Sequence, residues 1–259
     1  MTRERERLPA GADGRRRALT SGAMRLFDGL VDLLYPPACA GCGALCPPDP
    51  AAFCDLCELA VEPLPSPGCR RCAEPGSFRA DTCPRCTALP PPFGETHAPF
   101  IHTGALSRAI HRLKYEDHPE LARPLGRLLA RRSLGFLARR HEALLCPVPL
   151  HASRFRARRY DQSWLLCAEL AQLTGRPILS RALERCRATG RQVGQDEAAR
   201  EANVQGAFAA TPGRVQGRHV VLVDDVFTTG ATVRAAAAAM LAAGASKVDV
   251  LTLARAWSG

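Results

Sequence analysis

Apolar residues along this chain fall into two rhythms, and their alternation lays out a fold. Val220, Val221, Leu222 and Val223 form a continuous apolar run, residues 143–148 and 248–253 form two more, and residues 97–102 are strand-like in composition. Short runs of this kind are read as strands buried on both faces of a sheet. Between them lie segments with helical character: about 107–115, then 121–140 with a break expected near Ser133 and Gly135, 164–173, and the alanine-rich 231–243, ended by Gly244. Strands alternating with helices predict an α/β fold with a parallel sheet covered on both faces. Upstream, residues 24–34 (MRLFDGLVDLL) have helical spacing and stop at Tyr35-Pro36-Pro37, and Pro90-Pro91-Pro92 makes a linker. The chain is therefore read as a basic disordered tail (1–20), a lead-in helix with a cysteine-rich module (21–92) and an α/β domain (93–259).

The cysteines change the picture of the middle part. Nine of the twelve fall between residues 39 and 86, and eight of these form four C-x-x-C pairs: Cys39/Cys42, Cys54/Cys57, Cys69/Cys72 and Cys83/Cys86. A C-x-x-C turn sets two thiolates on one side of a backbone knuckle, and two knuckles complete a tetrahedral four-cysteine shell for zinc. Four pairs predict two structural zinc ions, with first paired to second and third to fourth; redox dithiols or an iron–sulfur cluster are the alternatives. The segment is rich in Pro, Gly and Cys and poor in large aliphatics, so a metal would have to supply the folding energy that a core cannot. Cys46 stands outside the pattern as a free thiol or spare ligand. Cys146, Cys167 and Cys186 are read as buried packing residues.

The most specific stretch is HVVLVDDVFTTGATV, residues 219–233. Its apolar run ends in Asp224 and Asp225, and the small residues Thr228, Thr229, Gly230, Ala231 and Thr232 open into a helix. Ligands of parallel sheets bind beyond the carboxyl ends of the strands, where these carboxylates would emerge. Paired carboxylates accept hydrogen bonds from vicinal ribose hydroxyls and favour cationic character at an anomeric carbon. A turn without bulky side chains at a helix N-terminus lets backbone N–H groups approach a phosphate.

Charge adds a second element. The chain carries a net +10, and between Ile101 and Tyr160 thirteen basic residues face four acids. Such a cluster suits polyphosphate or nucleic acid, or coats helix surfaces. After the strand at 143–148 comes Pro149-Leu150-His151-Ala152-Ser153-Arg154, continuing through Arg156, Arg158 and Arg159. A strand-end loop of this composition offers the forked donors that a pyrophosphate leaving group requires. The N-terminal tail is too charged for a secretory signal, and no apolar run reaches the roughly 20 residues of a membrane span. The expected location is cytoplasmic.

Together these stretches resemble the ComF family of competence-associated phosphoribosyltransferase-like proteins, from about Phe27 to Arg255. The resemblance is carried by Tyr35-Pro36-Pro37 before the first knuckle, Leu113-Lys114-Tyr115, and Pro147-Val148-Pro149-Leu150-His151. It continues through the sparse pattern Arg187, Thr189, Gln192, Arg200, Asn203, Gly206, Phe208 and the segment 224–232. It implies a type I phosphoribosyltransferase fold behind a double zinc ribbon. The implied ligand is 5-phosphoribosyl-1-pyrophosphate (PRPP) with Mg²⁺, or ribose 5-phosphate. The implied role is in DNA uptake, with single-stranded DNA and a helicase-like protein as partners. Under it, Asp224 and Asp225 hold the ribose hydroxyls, and 228–232 cradle the 5′-phosphate. Pro149, Leu150, His151 and Arg154 form the pyrophosphate loop, and 187–200 form a mobile flap. Three departures stand out. Arg159 occupies a usual glycine position, the flap reads Thr189-Gly190-Arg191-Gln192, and Thr228 stands where some purine transferases place an acidic base. Two readings follow: a PRPP-dependent transferase of unknown acceptor, or a non-catalytic sensor or nucleic-acid adaptor on the same fold.

Overall fold

The computed structural model describes residues 38–46, 53–187 and 204–257. The expected helix at 24–34, the Tyr35-Pro36-Pro37 lead-in, the basic tail and most of the 187–200 flap lie outside these residues. The sheet is wholly parallel. Strands β1 (Thr96–His97) and β2 (Phe100–Ile101) both pair with β7 (Lys247–Arg255), β7 with β6 (His219–Phe227), and β6 with β3 (Leu144–Pro147). The expected strand at 97–102 is thus two pieces at the sheet edge, split at Ala98-Pro99, because proline has no N–H for the ladder. A separate antiparallel pair joins β4 (Leu183–Arg185) to β5 (Phe208–Ala210).

Strand side chains alternate across the sheet and so divide the core in two. Leu145, Val221, Val223, Leu251 and Leu253 pack with α3 (Gly104–Tyr115), α4 (Ala122–Ala138) and α6 (Gln162–Thr174). Cys146, Val220, Leu222, Val248 and Val250 pack instead with α7 (Pro212–Val215), α8 (Ala231–Ala242) and the β4–β5 pair. Each cysteine-rich unit joins a different face: Cys39, Phe53 and Cys57 belong to the first core, and Cys69, Cys72, Cys83, Cys86 and Phe93 to the second. The interior strand β7 buries every residue after Lys247, and β6 buries its apolar run 220–223, as these continuous runs predict.

The break expected near Ser133 is absent, and α4 runs through it. Leu125, Leu129, Ser133, Phe136 and Leu137 form an uninterrupted buried stripe, which holds a helix against propensity. Gly126 lets α4 lie close to α6, since a Cβ there would stand 2.7 Å from Cβ of Glu169. Two further expectations are corrected. Residues 152–158 are not loop but a short helix, α5 (Ala152–Arg158), capped by His151. Cys186 is exposed, whereas Cys146 and Cys167 are buried as expected.

At the amino end of the sheet a charged knot closes the strands. Asp249 is fully buried and accepts from Nε of Arg140 at 2.6 Å, the Glu95 backbone N–H at 2.7 Å and the His219 ring at 2.9 Å. Burial opposes its charge, but these donors outweigh it and hold the carboxyl below its ordinary range. Arg140 also pairs with Glu95, which reaches Arg70 at 2.8 Å. Among the described residues no helix is long and apolar enough to cross a membrane.

Candidate functional site

Both loops singled out in the sequence leave the carboxyl ends of adjacent strands. Pro147 is in register with Val223, and the Val148 N–H donates to the Val223 carbonyl at 2.9 Å. The acid pair does not emerge beyond its strand. β6 continues through Asp224 and Asp225 to Phe227, because β7 pairs with it along this whole length. Successive side chains of a strand point to opposite faces. Asp224 accepts from the Ser163 hydroxyl at 2.8 Å and from the Asp225 N–H at 2.9 Å. Asp225, 3% exposed, is contacted by Nζ of Lys114 at 2.6 Å. Its second oxygen is buried without a hydrogen-bond partner among the described residues.

This neighbourhood shifts protons. Burial, then the adjacent Asp225 charge, pushes the Asp224 carboxyl up to about 7, although Lys114, Ser163 and the Asp225 N–H oppose the shift. Asp224 is half-buried. Burial works against the ammonium of Lys114, yet the Asp225 carboxylate prevails and raises it above the ordinary lysine range. His102 is held below its ordinary value by burial and by Lys114. The site therefore carries one firm cation, a buried acid and an acid able to exchange a proton near neutrality. Lys114 entered the sequence reading only as part of Leu113-Lys114-Tyr115. Ser163 and His102 were missed, since no local pattern marks a residue that meets the acids only through folding.

The loop after β3 is set by one carboxylate. Asp161 accepts from the Leu150 N–H at 2.9 Å and caps α6 through the N–H groups of Ser163 and Trp164, at 2.9 and 3.1 Å. His151 caps α5, its Nδ1 accepting from the Ser153 N–H at 3.2 Å. Arg154 lies in α5 rather than in the loop. Burial, then the nearby Arg154 charge, lowers the Arg185 pKa while Asp224 raises it, so the Arg185 guanidinium is within electrostatic reach of both Arg154 and Asp224. Arg159 adopts the left-handed conformation (φ 67°) that closes α5, so the geometry usually given to glycine is kept by an arginine.

Gly230 opens α8 with φ 83°, and a Cβ there would lie 2.6 Å from the Phe227 ring. Only glycine fits this turn between the acid pair and the helix. The loop is also held from outside, because the Arg85 guanidinium donates to the Thr229 carbonyl at 2.9 Å.

Arg85 belongs to the second of two cysteine clusters. The sulfur atoms of Cys39, Cys42, Cys54 and Cys57 lie within 4.8 Å of one another, as do those of Cys69, Cys72, Cys83 and Cys86. Facing sulfurs stand at 3.8 Å (Cys42–Cys54) and 3.6 Å (Cys72–Cys83). Four Zn–S bonds of about 2.3 Å in a tetrahedron require about 3.8 Å between sulfurs, so the residues fit zinc. The second knuckle of each group opens a short helix, α1 (Asp55–Leu59) after Cys54 and α2 (Pro84–Ala88) after Cys83, with Cys57 and Cys86 inside them. Burial opposes a thiolate at Cys39, but N–H groups of Cys54, Cys42 and Gly41 outweigh it and bring the thiol down to about 6. Cys46 is outside both groups.

Residues 30–87 match the double zinc ribbon domain, and residues 177–259 match the phosphoribosyl transferase domain. The chain is 37% identical over 208 residues to the DNA utilization protein YhgH of Salmonella typhimurium, covering 78% of this chain and 90% of that protein. It is 29% identical over 215 residues to competence protein F of Haemophilus influenzae, covering 79% and 90%. Among solved structures it is similar to the glutamine PRPP amidotransferase from B. subtilis complexed with ADP and GMP. That match has 29% identity and a TM-score of 0.35, over 51% of this chain and 25% of that one.

Proposed function

Because this chain belongs to the ComF family, with a phosphoribosyltransferase fold and two four-cysteine groups that support two structural zinc ions, we propose that it binds the ribose 5-phosphate part of PRPP and serves DNA utilization. The observation that carries this reading is the acid pair Asp224–Asp225 beside the glycine-turned helix start at 228–232, next to the β3 loop. Ribose hydroxyls would donate to the carboxylates. Thr228, Thr229, Gly230, Ala231 and Thr232 would take the 5′-phosphate, with N–H groups at the start of α8. Pro149, Leu150, His151 and Arg154 would face the pyrophosphate, whose charge Mg²⁺ bound with PRPP would share. Nζ of Lys114 pairs with Asp225 at 2.6 Å, and the carboxylates would face the cationic character of a reacting sugar.

The test is calorimetric titration with PRPP and with ribose 5-phosphate. Asp224→Asn/Asp225→Asn should abolish measurable binding of both; undiminished binding would overturn the assignment. Whether the bound sugar phosphate reacts is a second question. Thr228 is exposed and brings no acidic base, which favours a sensor or adaptor. Asp224, ionising near neutrality, favours a transferase. Pyrophosphate release on incubation with candidate acceptors decides between them. In the DNA-utilization role, single-stranded DNA and a helicase-like protein are the proposed partners.

A further inference from the structure

A second concavity, of about 590 Å³, opens beside the sheet edge at β3 and is distinct from the acid pair. Its volume is that of small-molecule sites, which run from about 300 to 1,000 Å³. Cys146, Pro147, Leu179 and Leu183 supply apolar lining, while Trp164, Arg181 and Arg214 add aromatic and cationic groups. Trp164 is 39% exposed, although Leu166, Cys167 and Leu170 of the same helix are fully buried. Its indole therefore contributes little to the core and is left at the cavity wall.

The two arginines lack the acids that ordinarily occupy surface guanidinium groups. Among the described residues, no carboxylate pairs with Arg181 or Arg214, and the one polar contact of the Arg214 side chain is the Ser180 carbonyl at 3.2 Å. Asp161, the acid lining the cavity, already serves three backbone N–H groups, those of Leu150, Ser163 and Trp164. Arg181 also holds a left-handed backbone, φ 54°, which a side-chain-bearing residue rarely adopts. Its Thr211 contact goes through the main-chain carbonyl and leaves the guanidinium uncommitted.

An exposed indole, two guanidinium groups without carboxylate partners among the described residues and an apolar floor form one complementary set. Indole faces stack on nucleobases, and guanidinium forks bind phosphate oxygens. We propose that this cavity is a nucleotide site in which the base stacks on Trp164 and the phosphate is held by Arg181 and Arg214. A free mononucleotide and one unit of a single-stranded nucleic acid present the same chemistry. The site does not depend on the ribose-phosphate reading, although Pro149 lines the cavity and belongs to the neighbouring loop.

The chain has two tryptophans, so Trp257→Phe leaves Trp164 as the reporting indole. In that variant, indole fluorescence should be quenched saturably by thymidine monophosphate, by oligothymidylate, or by both. Quenching by both with equal affinity per nucleotide identifies a mononucleotide site. Quenching by the oligomer alone identifies a single strand as the source. Arg181→Ala/Arg214→Ala should weaken the response about tenfold or more with an unchanged circular dichroism spectrum. Asp224→Asn/Asp225→Asn should leave it unchanged even if ribose 5-phosphate binding is lost. Absence of quenching by either probe, or quenching indifferent to loss of both arginines, would overturn the proposal.

Discussion

The two cysteine units share one motif and differ in what they hold. In the first, Cys42 is exposed and Cys54 partly so, and its backbone carbonyls rest on arginines of α3. Arg108 donates to Gly41 at 3.0 Å, and Arg112 to Cys39 at 3.0 Å and to Ala40 at 3.3 Å. In the second, all four cysteines are buried, and the contacts run both ways. Arg71 reaches the carbonyls of Phe93 and Gly94 at 2.7 and 2.9 Å, Arg255 of β7 pairs with Glu74, and Arg85 reaches Thr229. The same cysteine motif is thus clamped by α3 on one face and bonded to the turn at Thr229 on the other. Zinc geometry is common to both; the arginines beside the knuckles make the difference.

The strongest way to break this comparison is to remove each metal separately. Cys83→Ser/Cys86→Ser should lower zinc from about two ions per chain to about one and weaken ribose 5-phosphate binding at least about tenfold. Cys39→Ser/Cys57→Ser should lower zinc equally and reduce thermal stability, with binding changed by no more than about threefold. Equal losses of binding, read by calorimetry beside metal analysis, would erase the distinction. A smaller effect isolates the arginines. Arg85→Ala should keep both zincs and weaken ribose 5-phosphate binding about fivefold, since one charge-assisted hydrogen bond positions the Thr229 carbonyl. Arg112→Ala should cost stability and leave binding intact.

Asp224 sharpens the comparison at the ligand end. Its carboxyl is pushed from the ordinary 3.8 up to about 7, so the folded chain binds more protons than the unfolded one between those values. Stability attributable to Asp224 is therefore full at low pH, falls as pH rises across that window and is level above it. Denaturation of Asp224→Asn from acid to neutral pH should show a flatter dependence than the parent; parallel curves would refute the shift. The smallest expected effect is at Arg159. Glycine there should relieve left-handed strain and raise stability by about 0.5–1 kcal/mol in denaturant titrations.

Much of this architecture is legible in the residues because it is local. The apolar run at 220–223 and the acid–turn–helix order are contiguous, and C-x-x-C spacing carries its own geometry. What escapes is non-local. Asp224 and Asp225 look like loop residues until β7 is seen pairing beside them. Ser163, His102 and the Lys114–Asp225 contact arise when α3, α6 and the end of an edge strand converge on β6. The β4–β5 pair joins residues 183–185 to 208–210, runs too short to show period-2 alternation. Arg154 reads as loop because seven helical residues crowded with arginine carry little apolar periodicity.

The second cysteine unit touches the sheet at both ends. Arg70, beside Cys69, grips Glu95 of the buried Asp249 knot at the amino end, while Arg85, beside Cys86, grips the turn at the carboxyl end. In mechanical language it is a strut along the strands, with the metal as its pin. A structure braced in this way transmits force rather than absorbing it. The same small unit therefore fixes the position of the turn at 228–230 relative to the far end of the sheet.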